Sequence, residues 1–161
     1  MRLSRLLPVI CILLVASSRP ALADATLFIG ATTTPSTRAA KGFAIGVGLV
    51  IVGVEFEYAS TVEDPLEGAP QIRTGMGNVY AQTPFPIAGM QFYATTGAGG
   101  YREKLGTLHQ ETNIGFNTGG GVKVSLLGPL KARLDYRAFK LRGAPLYSVV
   151  HRVYVGANLA F

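Results

Sequence analysis

The chain has 161 residues, of which 48% are hydrophobic and 15% are charged, and its formal net charge is +6. This composition is too apolar for a disordered chain, and the length suits one domain. A single cysteine, Cys11, excludes a disulfide framework within the chain. No basic run indicates nucleic-acid binding.

The N-terminal segment has the layout of a secretory signal peptide. Basic residues flank the apolar run LLPVICILLVA, and an Ala-x-Ala tripeptide occupies 21–23. The apolar core is too short to cross a bilayer, which disfavours the alternative of an uncleaved anchor helix. We therefore predict a cleaved signal peptide over 1–23 and one domain over 24–161. The three arginines of the leader leave with it, so a net charge of about +3 remains.

From residue 24 onward the sequence consists of short alternating runs separated by turn residues, which predicts an all-β fold. The facing of the fourth run is unassigned, because Met76 and Tyr80 lie on one face while Val79 and Ala81 lie on the other. The eight predicted strands are 25–33, 42–50, 52–59, 73–82, 88–96, 112–126, 130–141 and 149–161.

The segments between these strands alternate in length. Longer, polar segments follow the first, third, fifth and seventh strands, including 61–72 and 98–110, whereas tight turns follow the second, fourth and sixth. An even strand count with short turns at one end and longer loops at the other is typical of outer-membrane barrels. The sequence therefore predicts an eight-stranded antiparallel up-and-down transmembrane β-barrel.

The alternation by itself does not say which face points inward. A soluble, lipocalin-like barrel would bury the apolar face, whereas a membrane barrel turns it towards lipid. Most runs reach the roughly 9 to 11 residues that cross the hydrocarbon, and a cation facing lipid would cost about 2–4 kcal/mol near the midplane. The charged face is thus expected to line the lumen, where opposed strands three and seven would pair their side chains. The predicted lumen network comprises Glu55, Glu57, Lys123, Lys131, Arg133, Asp135, Arg137 and Arg152.

The C-terminal segment VVHRVYVGANLAF keeps one face apolar to its final residue. Its Gly156, Leu159 and Phe161 are spaced in a way that resembles the C-terminal signal of Gram-negative outer-membrane barrels. That resemblance implies recognition of the last strand by the barrel-assembly machinery.

Together with this segment, the run GGGVKVSLLGPLKARLDYRAF resembles the small outer-membrane β-barrel family, which includes OmpA-type transmembrane domains and opacity-like porin-family proteins. The resemblance implies an outer-membrane location, contact with outer-membrane lipid and lipopolysaccharide, and no nucleic-acid partner. It also implies an interior salt-bridge network, carried here by Glu55, Glu57, Arg133, Asp135 and Arg137.

For function, the sequence favours a non-enzymatic barrel with an ion-paired lumen and external loops that make surface contacts. A narrow channel for small solutes or ions is the first alternative, and a lipid-modifying enzyme is the second. An enzyme would need a nucleophile beside a base, yet Ser148 and His151 fall on opposite faces of a strand. The other histidine, His109, lies in a predicted loop, and the His-x-Ser motif of the lipid A deacylase family is absent. We predict no catalytic, cofactor or metal site.

Overall fold

The computed structural model describes residues 22–161, which form eight strands. Residues 1–21, including Cys11 and most of the predicted signal peptide, lie outside the described part of the chain. The first strand begins at Leu22, so the last two residues of the predicted leader pair with the second strand. The strands are β1 (Leu22–Thr32), β2 (Arg38–Gly48), β3 (Val52–Thr61), β4 (Gln71–Gln82), β5 (Met90–Leu105), β6 (His109–Leu127), β7 (Leu130–Leu141) and β8 (Val149–Ala160).

All eight strands join in one closed antiparallel barrel in which each strand pairs with its neighbours in the chain. β8 closes the ring against β1, from Asp24 opposite Ala160 to Thr32 opposite Arg152. Closure leaves no exposed sheet edge within the ring, whereas residues 109–114 of β6 pair with β5 and not with β7. The predicted eight-stranded up-and-down barrel is confirmed. Within residues 22–161, no helix has the length and apolar character needed to cross a membrane.

The connections only partly follow the predicted alternation. The connections after β2, β4 and β6 lie at the same end of the barrel as Phe161, termed the terminal end, and the others lie at the loop end. Seven residues, 83–89, follow β4 at the terminal end. At the loop end only three residues, 106–108, separate β5 from β6.

The prediction of a loop over 98–110 is wrong. Most of this segment extends β5 and β6 to 16 and 19 residues, so that the two strands form a hairpin that projects past the loop end. Gly97, Gly99 and Gly100 and the charged residues near the tip leave the segment without the regular apolar face that would reveal it as a strand in the sequence.

Side chains in the wall are arranged inside out relative to a soluble domain. Outward-facing Leu27 and Leu134 are 72% and 52% exposed, whereas inward-facing Arg137 is fully buried. In β4, Met76 and Tyr80 point into the lumen, while Val79 points outward, which assigns the strand whose facing the sequence leaves open. The soluble, lipocalin-like alternative is therefore wrong, because the apolar face lies on the outside.

Candidate functional site: the charged lumen

Strands β3 and β7 lie across the ring from each other, and the interior of an eight-stranded barrel is just wide enough for side chains to fill it. Arg133 Nη1 lies 2.5 Å from Glu55 Oε2, and Arg137 Nη2 lies 2.7 Å from Glu55 Oε1. Arg133 Nη2 also donates to Glu55 Oε1 at 3.2 Å, so Arg133 binds both carboxylate oxygens and Arg137 shares one of them.

Asp135 joins the two arginines along their own strand. Residues at spacing two share a strand face, so Arg133, Asp135 and Arg137 all point into the lumen. Asp135 Oδ2 lies 3.0 Å from Arg133 Nη2, and Asp135 Oδ1 lies 3.0 Å from Arg137 Nε. The three side chains form a continuous ionic ladder on β7.

Glu57 extends the network to β8. Arg137 Nη1 lies 3.0 Å from Glu57 Oε2, and Arg152 Nη1 lies 3.2 Å from Glu57 Oε1. The Tyr154 hydroxyl donates a further hydrogen bond to Glu57 Oε2 at 3.2 Å. Glu57 and Arg152 are both almost completely buried, so this pair lies within the lumen and away from its mouths.

A second ion pair lies towards the terminal end, where Lys123 Nζ approaches Asp24 Oδ2 to 2.5 Å. Lys123 is among the predicted lumen residues, but Asp24 is not. Asp24 directly follows the predicted cleavage site and lies outside the first predicted strand, which begins at residue 25. Extending that strand by one residue would place Asp24 on the face opposite Leu27 and Ile29, and the structure buries its side chain.

Aromatic rings pack around the central arginines. The Arg133 guanidinium carbon lies 4.8 Å from the Tyr93 ring centroid and 5.6 Å from that of Tyr154. The Tyr93 hydroxyl accepts a hydrogen bond from Arg133 Nε at 2.6 Å and donates one to Asp135. Cation–π contacts strengthen when desolvated, so these rings stabilise Arg133 without a further carboxylate.

The network is balanced in charge. Its four acids are Asp24, Glu55, Glu57 and Asp135, and its four bases are Lys123, Arg133, Arg137 and Arg152. Desolvating such charges is expensive, and the mutual attraction repays that cost only where geometry and hydrogen bonding are good. Loss of a single member would leave a buried charge without a counterpart.

Lys131 does not belong to these ion pairs, and the prediction is wrong for this residue. Its Nζ lies 3.5 Å from the side-chain oxygen of Gln91, and the residue is only partly buried. Lys131 is the second residue of β7. At the terminal mouth of the lumen, solvent can replace the carboxylate partner that a deeply buried lysine would need.

Towards the loop end, an apolar layer succeeds the ionic one. Phe139 and Leu141 continue the inward face of β7 and pack with four residues of other strands. This layer was not predicted from the sequence, because apolar residues on the inward face carry no charge that marks them as lumen residues. The layer consists of Ile72, Met76, Tyr101, Phe139, Leu141 and Val150.

A polar cluster caps this layer. Arg38 Nη2 donates to the Thr34 carbonyl at 2.7 Å, and Nη1 donates to the Pro70 carbonyl. In the projecting hairpin, Glu103 Oε1 accepts a hydrogen bond from the Leu146 amide at 2.9 Å and lies 3.2 Å from His109 Nε2. Burial raises the pKa of the Glu103 carboxyl, and this amide and His109 only partly offset that effect.

Inward-facing glycines on β6 leave room for the bulky lumen residues. A Cβ at Gly119 would lie 3.1 Å from Arg137 Cγ, and one at Gly121 would lie 2.6 Å from the Tyr93 hydroxyl. Both would also collide with the backbone of β7. Glycine at these two positions therefore permits both the close strand approach and the ionic packing.

The residues of the predicted assembly signal lie along the closing seam. Gly156 pairs with Phe28 of β1, and Leu159 pairs with Ala25. The Phe161 amide donates to the carbonyl of Ala23, the last residue of the predicted leader, at 2.8 Å, and cleavage after Ala23 would remove this contact. Leu159 and Phe161 present 47% and 68% of their surface on the outside of the barrel, where another apolar surface can reach them.

Within residues 22–161, neither histidine side chain contacts a serine or threonine hydroxyl. His151 Nδ1 lies 2.8 Å from the Tyr136 hydroxyl on the outer wall, and Ser148 contacts Lys140. The side-chain contact of His109 is the Glu103 carboxylate. Among residues 22–161, no group of three or more His, Cys, Asp and Glu side chains is placed to hold a metal ion.

Comparison with solved structures identifies the fold. The N-terminal β-barrel domain of Pseudomonas aeruginosa OprF superposes with a TM-score of 0.65 at 14% identity, over 88% of this chain and 100% of that one. This chain has the fold of the small outer-membrane β-barrels. Neisserial surface protein A (NspA) also shares the outer-membrane barrel fold, with a TM-score of 0.59 at 14% identity over 88% of this chain and 96% of that one.

The outer membrane enzyme PagL has the same fold, with a TM-score of 0.52 at 10% identity over 84% of this chain and 98% of that one. The outer-membrane barrel fold is therefore compatible with both enzymatic and non-enzymatic proteins. No protein-family model matches the sequence, and a search of curated proteins also finds no match.

Proposed function

We propose that this chain is a non-enzymatic integral outer-membrane protein whose lumen is closed by ion pairs and whose loop end faces the cell exterior. The leader 1–23 directs export and is then removed. The barrel contacts outer-membrane lipid and lipopolysaccharide through its wall. The C-terminal strand, through Gly156, Leu159 and Phe161, is handed to the assembly machinery.

The observation that best supports this proposal is that two layers of side chains fill the lumen. Glu55 forms ion pairs with Arg133 and Arg137 on the opposite wall of the barrel. The apolar layer around Phe139 lies next to these ion pairs, on the side of the loop end. A hydrated ion would have to break buried ion pairs and then lose its water against apolar side chains, and both steps are unfavourable. This arrangement supports a closed barrel over the alternative of a narrow channel.

Planar-bilayer recording of the purified, folded chain tests this closure. The wild type is expected to give no steps of conductance. An Arg133→Ala, Arg137→Ala variant should also remain closed or nearly so, because the apolar layer is intact, whereas adding Phe139→Ala should produce openings. Ion conductance in the wild-type barrel would overturn the closed lumen and favour the channel.

Location and fold are tested together by fractionation and gel mobility. The chain expressed with its leader is expected in the outer-membrane fraction, and the folded barrel should migrate differently before and after boiling. Phe161→Ala, which leaves the lumen unchanged, is expected to lower the amount of folded barrel in cells relative to the wild type, but not the yield of refolding in detergent. If the variant matched the wild type in cells as well as in detergent, the assembly role of this residue would be contradicted.

Incubation with outer-membrane lipid, followed by mass spectrometry, tests the absence of enzymatic activity. Because His151 pairs with Tyr136 and not with a serine or threonine hydroxyl, the lipid masses are expected to stay unchanged. A new lipid product that disappears in a His151→Gln or His109→Gln variant would overturn the non-enzymatic assignment.

A further inference from the structure

The charged side chains of residues 22–161 divide unequally between the two faces of the wall. Acids on the strands all face the lumen, and the remaining three acids lie in the loop after β3. Six basic residues face outward, and each lies within four residues of the loop end of its strand or just beyond it. They are Lys41, Arg73, Arg102, Lys104, Lys140 and Arg142. The positive charge of the outer wall is thus concentrated at one rim.

Within this rim, strand register aligns several of these groups in one row across β2 to β6. Lys41 pairs with Ser60, and Ser60 pairs with Arg73. Arg73 pairs with Arg102, and Arg102 pairs with Thr112. Neighbouring strands lie about 4.8 Å apart, so the row offers three cations and two hydroxyls to one elongated anionic partner.

Arg73 and Arg102 form the densest point of this row. Like charges directly opposite each other on paired strands destabilise a sheet. None of the ion pairs found in residues 22–161 includes either arginine, and both side chains are exposed. An external anion that bridges the two guanidinium groups would convert this repulsion into bidentate binding.

The depth of the pair identifies the kind of anion. Arg102 is twelve residues beyond Met90, the first residue of β5, and about 9 to 11 residues cross the hydrocarbon. Arg73 and Arg102 therefore reach the headgroup level at the loop end. Phosphate groups of lipids occupy that level, and planar guanidinium groups match phosphate geometry.

Next to the arginine pair, on the side of the terminal end, the outer wall of β4 and β5 carries only very small residues. Gly75 pairs with Gly100, and Gly77 pairs with Ala98, all on the outward face. A Cβ at Gly100 would meet nothing within 4 Å, and one at Gly77 would meet only the Ala98 carbonyl at 3.8 Å. Barrel packing does not demand glycine at these positions, and the strip leaves space for acyl chains beneath a bound headgroup.

We propose that Arg73 and Arg102, with Lys41 and Lys104 beside them, bind the phosphate of a phosphorylated glycolipid, the lipid A portion of lipopolysaccharide, in the leaflet at the loop end. This site rests on the proposed outer-membrane function and adds a lipid-specific contact to it. The acyl chains lie along the glycine strip of β4 and β5. Phosphate recognition, and not general hydrophobic solvation, makes the contact selective.

The test uses the full folded barrel in phosphatidylcholine nanodiscs that contain either phosphorylated lipid A or the same glycolipid after removal of its phosphates. Retained glycolipid per barrel is counted by native mass spectrometry, and the unfolding midpoint is read from heat-modifiable gel mobility. Arg73→Gln, Arg102→Gln removes the site. Lys140→Gln, Arg142→Gln removes two rim charges at the loop end of β7 and serves as the matched control.

We expect the wild type and the control variant to retain phosphorylated lipid A and to unfold at a higher temperature with it. The site variant should bind at least about tenfold more weakly, the loss expected for charge-assisted hydrogen bonds. The proposal would be overturned if the site variant retained as much phosphorylated lipid A as the wild type does. It would also be overturned if the wild type retained the dephosphorylated glycolipid equally well, or if inorganic phosphate alone raised the unfolding midpoint by the same amount. A chain that fails to fold into plain phosphatidylcholine discs would contradict the proposed function itself.

Discussion

The carboxylate of Glu55 meets the guanidinium of Arg133 from a position 78 residues earlier in the chain, with Nη1 and Oε2 2.5 Å apart. Both side chains are buried. The contact joins opposite walls of the barrel and therefore couples strands that share no backbone hydrogen bond.

Glu55→Gln is expected to destabilise the folded barrel by about 3–5 kcal/mol, because it leaves two buried arginines with one fewer counter-charge. The measurement is the free energy of unfolding by urea in lipid vesicles. Glu67→Gln, in the exposed loop after β3, is the control and should be nearly neutral. A loss below about 1 kcal/mol for Glu55→Gln, the size typical of an exposed ion pair, would contradict a tightly coupled network.

The pair of Lys123 and Asp24 should behave as a coupled unit. Lys123→Met and Asp24→Asn each remove one charge and strand the other, whereas the double variant removes both. We expect the double variant to be more stable than the sum of the single losses predicts, with an interaction energy of about 0.5–3 kcal/mol. Additive losses in the same urea titrations would mean that the two side chains do not interact in the membrane.

Phe139→Ala should cost about 3–5 kcal/mol of unfolding free energy, because it opens a cavity in the apolar layer of the lumen. Phe43→Ala removes the same side chain from the lipid-facing wall, where acyl chains can fill the space. The outward variant is expected to lose less. Equal losses from the two substitutions would argue against a packed layer above the ion pairs.

The projecting hairpin should respond to pH through Glu103, whose pKa is raised by burial. The folded state then holds this proton more tightly than the unfolded state does. Stability from this group is fully present at low pH and is lost as pH rises from the usual carboxyl range through the raised pKa. Glu103→Gln should flatten this part of the pH dependence of unfolding, while Glu111→Gln serves as the neighbouring control.

An unchanged pH slope in Glu103→Gln would contradict the burial of this carboxyl. A slope that is lost equally in Glu111→Gln would assign the effect to the electrostatics of the whole hairpin.

The strand alternation, together with the strand lengths and the cost of placing charges against lipid, was sufficient to predict the barrel and the inward facing of the charged side chains in β3 and β7. Charges are informative in a membrane barrel because lipid tolerates them so poorly that the face carrying them must point inward. The projecting hairpin could not be predicted in this way. Arg102 and Glu103 are adjacent charges on opposite faces, so the segment lacks the contrast between faces that marks a strand in the bilayer.

The candidate site was predicted less completely than the fold. The parity of β7 places Arg133 and Arg137 on the lumen face, but it does not say which carboxylate each one contacts. Lys131 shares that parity and still lacks an acidic partner, because its height in the barrel differs. Partner choice depends on strand tilt and stagger around the ring, and these quantities have no local signature in the sequence.

The lumen contacts can form completely only when the last step of barrel formation, the docking of β8 on β1, has taken place. Asn158 donates to the Thr26 hydroxyl across 132 positions of sequence, and Arg133 to the same hydroxyl across 107. Until β8 docks on β1, an inserting sheet would hold charged side chains beside acyl chains with their partners still out of reach. Half-assembled intermediates are thereby penalised, so insertion and sealing should occur as one concerted event late in biogenesis.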